Sequence, residues 1–235
     1  MKKRQVFGFV VAGLLAGFVS HAVAQSATAY SSSAIGVIKK TLPAGKLVSI
    51  SVPLDQESDE GQGFTFSSIP AIANLPNGTV ANFWDAENQK WIPQDKTARG
   101  GWGTQKNRLI VPGECFFLKN NQSTNIELII SGEVPSDASI SRGLPVGALQ
   151  SVANPYPVPM VFTNFAFAGA LPNGSVANFW DVENQKWIPQ DKTSRGGWGT
   201  QKNREIAPGE GFFVKPNTNS TATTWTETRP YTWPN

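Results

Sequence analysis

Apolar residues recur along this chain with a period of two, and no long stretch carries the 3.6-residue period of a helix. Ile35 and Val37, then Leu47, Val48, Ile50, Val52 and Leu54, predict two strands joined at Pro43, Ala44 and Gly45. Residues 80–85 alternate, with Val80, Asn82 and Trp84 on one side and Ala81, Phe83 and Asp85 on the other. Residues 86–89 turn the chain, and Lys90, Trp91 and Ile92 begin a return strand that Pro93 stops or confines to a sheet edge. The product is a β-hairpin with a tryptophan on each arm. Phe116 to Leu118, residues 125–132 and the alternating Thr223, Thr224, Trp225, Thr226 read as further strands. With plentiful Gly, Pro, Asn, Ser and Thr, the fold class is all-β.

The hairpin occurs twice. Residues 75–108 and 171–204 match at a constant offset of 96, differing only at Thr79/Ser175, Ala86/Val182 and Ala98/Ser194. Upstream, Leu42, Pro43, Gly45 and Pro53 answer to Leu144, Pro145, Gly147 and Pro155 at an offset of 102. The difference of six residues places an insertion in the first copy, at the acidic loop 55–63. The chain therefore divides into β repeats at 34–132 and 133–235, expected to pack with pseudo-twofold symmetry as a barrel or sandwich. Phe64, Phe66, Ile69 and Ile72 against Phe162, Phe165 and Phe167 keep apolar character without identity, as core positions do.

The first 24 residues change the picture of charge and location. Lys2, Lys3 and Arg4, an apolar run from about Val6 to Val19 and the triplet Ala22, Val23, Ala24 have the layout of a secretory signal peptide. Residues 25–33 read as a flexible leader. Cleavage after Ala24 removes three cations, leaving 17 Lys and Arg against 17 Asp and Glu, so nothing electrostatic points to nucleic acid. No later segment is apolar enough for a membrane span, and the expected location is the periplasm, cell surface or extracellular medium. The only histidine, His21, leaves with the signal, and Cys115 is the sole cysteine. That excludes Ser-His-Asp and Cys-His mechanisms, internal disulfides and thiolate or imidazole zinc sites; no cofactor or metal is expected.

Carboxylates remain. Asp85, Asp95 and Glu114, with Asp181, Asp191 and Glu210, are the candidates for glycoside hydrolysis, against a plainer role in turns. The loop with Asp55, Glu57, Asp59 and Glu60 lacks the ordered spacing of a calcium-binding loop. GGWGTQKNR lacks the GK[ST] of a phosphate loop, and the repeat is too long for a kelch propeller blade. A carbohydrate site has better material: Trp84, Asp85, Trp91, Gln94 and Trp102 in one block, and Trp180, Asp181, Trp187, Gln190 and Trp198 in the other. Trp102, in a Gly-rich excursion, is the expected exposed member. Polar residues such as Asn88, Gln89, Lys90, Gln94, Asp95, Lys96 and Gln105 match between copies while core flanks drift. Packing alone predicts the reverse, which leaves recent gene conversion or a maintained surface.

The order of signal peptide, LPAG with a strand ending in Pro, LPNGTVANFWD, Trp-bearing hairpin, PGECFFLK and GEVP, then the same again, resembles the duplicated, exported β-rich proteins common in verrucomicrobial and related planctomycete-type bacteria. The resemblance implies export and repeat architecture and carries no catalytic residues. One departure is Cys115, where the second copy has Gly211, a position expected to need only something small. The leading expectation is a non-enzymatic envelope protein, structural or adhesive, with itself, other envelope proteins or glycans as partners. A bivalent carbohydrate-binding module comes second and a carboxylate-dependent glycoside hydrolase third.

Overall fold

The computed structural model describes residues 34–56, 64–195 and 197–232. The expected signal peptide and leader, and most of the acidic loop, lie outside the described residues. What is described is mostly strand, distributed over several sheets, with two short helices.

The first set of strands comprises β1 (Ile35–Leu42), β2 (Leu47–Ser51), β3 (Phe64–Thr65), β4 (Val80–Asp85), β5 (Lys90–Asp95), β6 (Leu109–Ile110), β7 (Cys115–Lys119) and β8 (Ile126–Glu133). The second comprises β9 (Ser139–Gly143), β10 (Gln150–Ala153), β11 (Met160–Val161), β12 (Val176–Asp181), β13 (Lys186–Thr193), β14 (Gly197–Trp198), β15 (Glu205–Ile206), β16 (Gly211–Lys215) and β17 (Thr224–Thr228). Helices α1 (Pro70–Ala73) and α2 (Ala166–Ala170) precede the two hairpins. The main sheets run β2-β7-β4-β5 and β10-β16-β12-β13-β14, and β1-β8 and β17-β9 form two-stranded ribbons. All pairings are antiparallel. The sheets stay open, so the barrel alternative is corrected: no closed barrel forms among the described residues. No helix among them is long and apolar enough to cross a membrane.

The predicted hairpin forms in both copies with one register, Trp84 opposite Trp91 and Trp180 opposite Trp187. β5 is the edge strand that Pro93 requires, because a proline has no N–H to give a further neighbour. Asp85 closes the turn by accepting from the Asn88 backbone N–H and side-chain amide at 3.0 and 2.9 Å. Gln89 then takes a left-handed conformation, φ 51°, as does Gln185.

Each main sheet buries both faces, which explains consecutive apolar residues such as Phe116-Phe117. Ala81, Phe83, Phe116 and Leu118 point into the core of their own repeat with Phe66, Ile72 and Trp102. Ala177, Phe179, Phe212 and Val214 do the same beside Phe162, Phe167 and Trp198. The opposite faces meet each other: Trp84, Cys115 and Phe117 pack with Ala153 and Phe213 as a third apolar cluster.

Candidate functional site

The surface between the two sheets is built from rings. Phe117 and Phe213 stack with centroids 6.2 Å apart. Trp91 meets both of them edge-on, at 5.5 and 5.5 Å, and Trp187 meets both at 5.6 and 5.4 Å. Trp84 packs on Trp91 and Phe213, and Trp180 on Trp187 and Phe117. Edge-to-face pairs of this kind contribute about 0.5–1.5 kcal/mol each beyond the area they bury, because the positive ring edge meets the negative ring face.

Hydrogen bonds between the repeats come in exchanged pairs. The Trp84 indole N–H donates to the Leu149 carbonyl at 2.8 Å, and that of Trp180 to the Leu47 carbonyl at 2.8 Å. The Gln89 amide accepts from Leu149 N–H at 2.8 Å and donates to its carbonyl at 3.1 Å. Gln185 makes the same two bonds to Leu47. Ser51 N–H donates to Gly209 O and Ala153 N–H to Gly113 O, both at 3.0 Å. Each hairpin turn thus satisfies peptide groups at the edge strand of the other repeat, groups that would otherwise lie open to a foreign strand.

These contacts also account for much of the polar identity between the copies. Gln89 and Gln185 are clasps between the repeats. Asp85 and Asp181 hold their turns, and the bound amide N–H of Asn88 or Asn184 keeps each carboxyl below the ordinary carboxylate range. Gln94 and Gln190 face the opposite side of the sheet from the Trp pair, where each side-chain oxygen accepts from a backbone N–H, of Gln105 at 3.2 Å and of Gln201 at 2.8 Å. The Lys192 ammonium donates to the carbonyls of Ala168, Gly169 and Leu171 at 2.8, 2.9 and 2.6 Å, the end of α2 where such groups lack partners. Lys96 does the same for Ala73 and Leu75, and burial lowers the pKa of both lysines.

One expectation is reversed. Trp102 and Trp198 are the most buried of the candidate tryptophans, at 3% and 4% exposure, and donate their indole N–H to Ile72 O and Ala168 O at 3.2 and 2.9 Å. The Gly-rich excursion folds back onto the helix end and plugs its own core. Trp91 and Trp187, at 39% and 37%, are the exposed members instead. Beside Trp91 lies a groove of about 470 Å³, lined by Gly45, Leu47, Asn82, Trp91, Phe117 and Lys119 of the first repeat and Gln185 of the second. All seven have identical residues at the matching positions: Gly147, Leu149, Asn178, Trp187, Phe213, Lys215 and Gln89. Phe117 and Phe213 were absent from the candidates, although a doubled Phe in both copies signals a sheet apolar on two faces.

The carboxylates are dispersed. Glu114 and Glu210 pair with Arg108 and Arg204 at 2.7 Å, Asp85 and Asp181 serve turns, and Asp95 and Asp191 are exposed. Among the described residues no group of three or more His, Cys, Asp or Glu is placed to hold a metal ion. The Cys115 thiol is buried against Phe212 O, and burial pushes its pKa far up, so it is not poised as a nucleophile. No family model, curated protein or solved structure matches this chain.

Proposed function

We propose that this chain is a non-enzymatic exported envelope protein, a structural or adhesive module in which two repeats arranged about a pseudo-twofold axis present one rigid face. The observation that carries the reading is the use of the candidate side chains. Asp85, Gln89, Gln94, Trp102, Glu114 and their counterparts are engaged in holding the fold, whereas a hydrolase keeps a raised acid and a free carboxylate on either side of a substrate cleft. Export rests on the N-terminal charge and hydropathy pattern.

Mixing the mature chain, residues 25–235, with isolated cell envelopes and sedimenting them tests this. The protein is expected in the pellet and releases no reducing sugar; a chain that stays in the supernatant, or that degrades envelope polysaccharide, overturns the proposal.

A second reading, carbohydrate binding, is favoured by the groove at Trp91. It combines a half-exposed indole with amide and ammonium groups, the composition that stacks on a sugar ring and fixes its hydroxyls.

A further inference from the structure

A bivalent module would carry an independent site in each of the two Trp-bearing blocks. The ring geometry argues against independence. The Trp91 and Trp187 centroids lie 5.5 and 5.4 Å from the same Phe213 ring, so they are separated by no more than the sum of those distances, about 11 Å. Both also touch Phe117. Two half-exposed indoles thus flank one pair of buried phenyl rings at the joint between the repeats.

The register defines what borders that joint. Lys119, Val80 and Asp95 lie in one cross-strand row, and Phe117, Asn82 and Pro93 in the next, on the face that carries Trp91. The second sheet repeats this with Lys215, Val176 and Asp191, then Phe213, Asn178 and Pro189. Among the described residues, Asn82, Asp95, Lys119 and their three counterparts make no side-chain hydrogen bond or salt bridge. That contrasts with Asp85, Gln89, Gln94 and Lys96 of the same block, whose polar atoms are taken. Each rim carries one ammonium and one carboxylate, so it offers hydroxyl-binding groups with no net charge to favour a polyanion.

We propose that the face formed jointly by Trp91 and Trp187 is a single binding site for a neutral oligosaccharide, laid across both indoles, with Asn82, Asp95, Lys119 and their counterparts fixing its hydroxyls. A repeating polymer suits two identical platforms at short range because successive rings present the same stacking face to each. The site rests on the carbohydrate reading above and adds that it exists only in the assembled pair of repeats.

The test uses the mature chain on a glycan array that also carries acidic glycans and proline-rich peptides, followed by titrations with fragments of increasing length from the best neutral ligand. Binding of one chain per protein is expected, with affinity rising about tenfold or more once the fragment reaches both indoles. Trp91→Ala and Trp187→Ala should each weaken the long fragment about tenfold and the single sugar little. Asn82→Ala with Asn178→Ala, on the rim and outside the ring cluster, gives the same direction should a Trp variant misfold. Two fragments bound per protein, with affinity independent of length, overturn the single site and leave carbohydrate binding standing. Binding only of acidic glycans or of proline-rich peptide, or no binding at all, overturns both, while envelope sedimentation still reports on the broader proposal.

Discussion

Cys115 and Gly211 occupy matching positions of the two repeats and meet face to face, so closely that a Cβ placed on Gly211 would stand 2.1 Å from the Cys115 Cβ. Only one of the two positions has room for a side chain. The expectation that either merely needs something small is therefore sharpened: with a side chain at one of them, the other must be glycine. Gly211→Ala should destabilise the protein by at least about 2 kcal/mol, since the obstructing atoms are a buried Cβ and a strand backbone rather than a flexible tip. Exchanging the residues, Cys115→Gly with Gly211→Cys, should recover most of that loss. Chemical denaturation of the single and double variants measures the coupling.

Removing a clasp should cost more than an exposed glutamine normally does. Gln89→Ala leaves the Leu149 N–H without its acceptor while the carbonyl keeps the Trp84 indole, and Gln185→Ala does the same at Leu47 beside Trp180, at about 1 kcal/mol each. Because Gln89 sits at φ 51°, Gln89→Gly should be milder than Gln89→Ala, since glycine relieves left-handed strain of about 1 kcal/mol that alanine keeps. Midpoints of denaturation in the two variants decide the order.

Trp102 and Trp91, identical in type and close in sequence, should respond unequally. Trp102→Ala opens a cavity beside Phe66 and removes the indole bond to the Ile72 carbonyl, which keeps its backbone partners, for a loss of about 3–5 kcal/mol. Trp91→Ala removes three edge contacts from a half-exposed ring but opens no buried cavity, and should cost about 2 kcal/mol. Thermal melts of the pair separate the core residue from the surface one.

Glu227 lies in the ribbon β17-β9 opposite Ile140, where the other repeat pairs Ile130 with Ile38. Its carboxylate accepts from the Ala166 N–H at 2.7 Å, yet burial pushes its pKa up to about 7. A carboxyl whose folded pKa exceeds its unfolded one binds more protons when folded, so its contribution to stability is complete below the unfolded value near 4.5 and is lost as pH rises through about 7. Glu227→Gln should flatten this part of the pH profile and be relatively more stable at pH 8 than at pH 5. Urea midpoints of both proteins at the two pH values check the sign.

The strands and hairpins were legible because alternation at Val80 to Ile92 is strict and the turn residues are specific. The second buried face was harder to read, since the doubled Phe116-Phe117 that signals it shares that face with the polar Asn82 and Lys119. Trp102 was misplaced because its flanks, Gly100, Gly101 and Gly103, carry the signature of a surface loop; what buries the ring is packing against Phe66, with its N–H on a carbonyl thirty residues earlier in the chain. Glutamine and lysine identity posed the same difficulty. Gln89 reads as a solvent residue until its acceptor is known to lie in the other repeat, 60 residues on. Choosing between gene conversion and a maintained surface passed over this simpler cause, that matched polar residues hold matched joints.

The exchanged clasps also set a limit on repeat number. In an open array each unit keeps a free stacking face, and further units extend it. Here each hairpin turn is seated on the edge strand of the other repeat, Gln89 at Leu149 and Gln185 at Leu47, so both donors and both acceptors are consumed within the pair. A third copy would arrive with a turn and no strand to hold. The architecture counts to two and closes, and any larger assembly must grow through its outer surfaces.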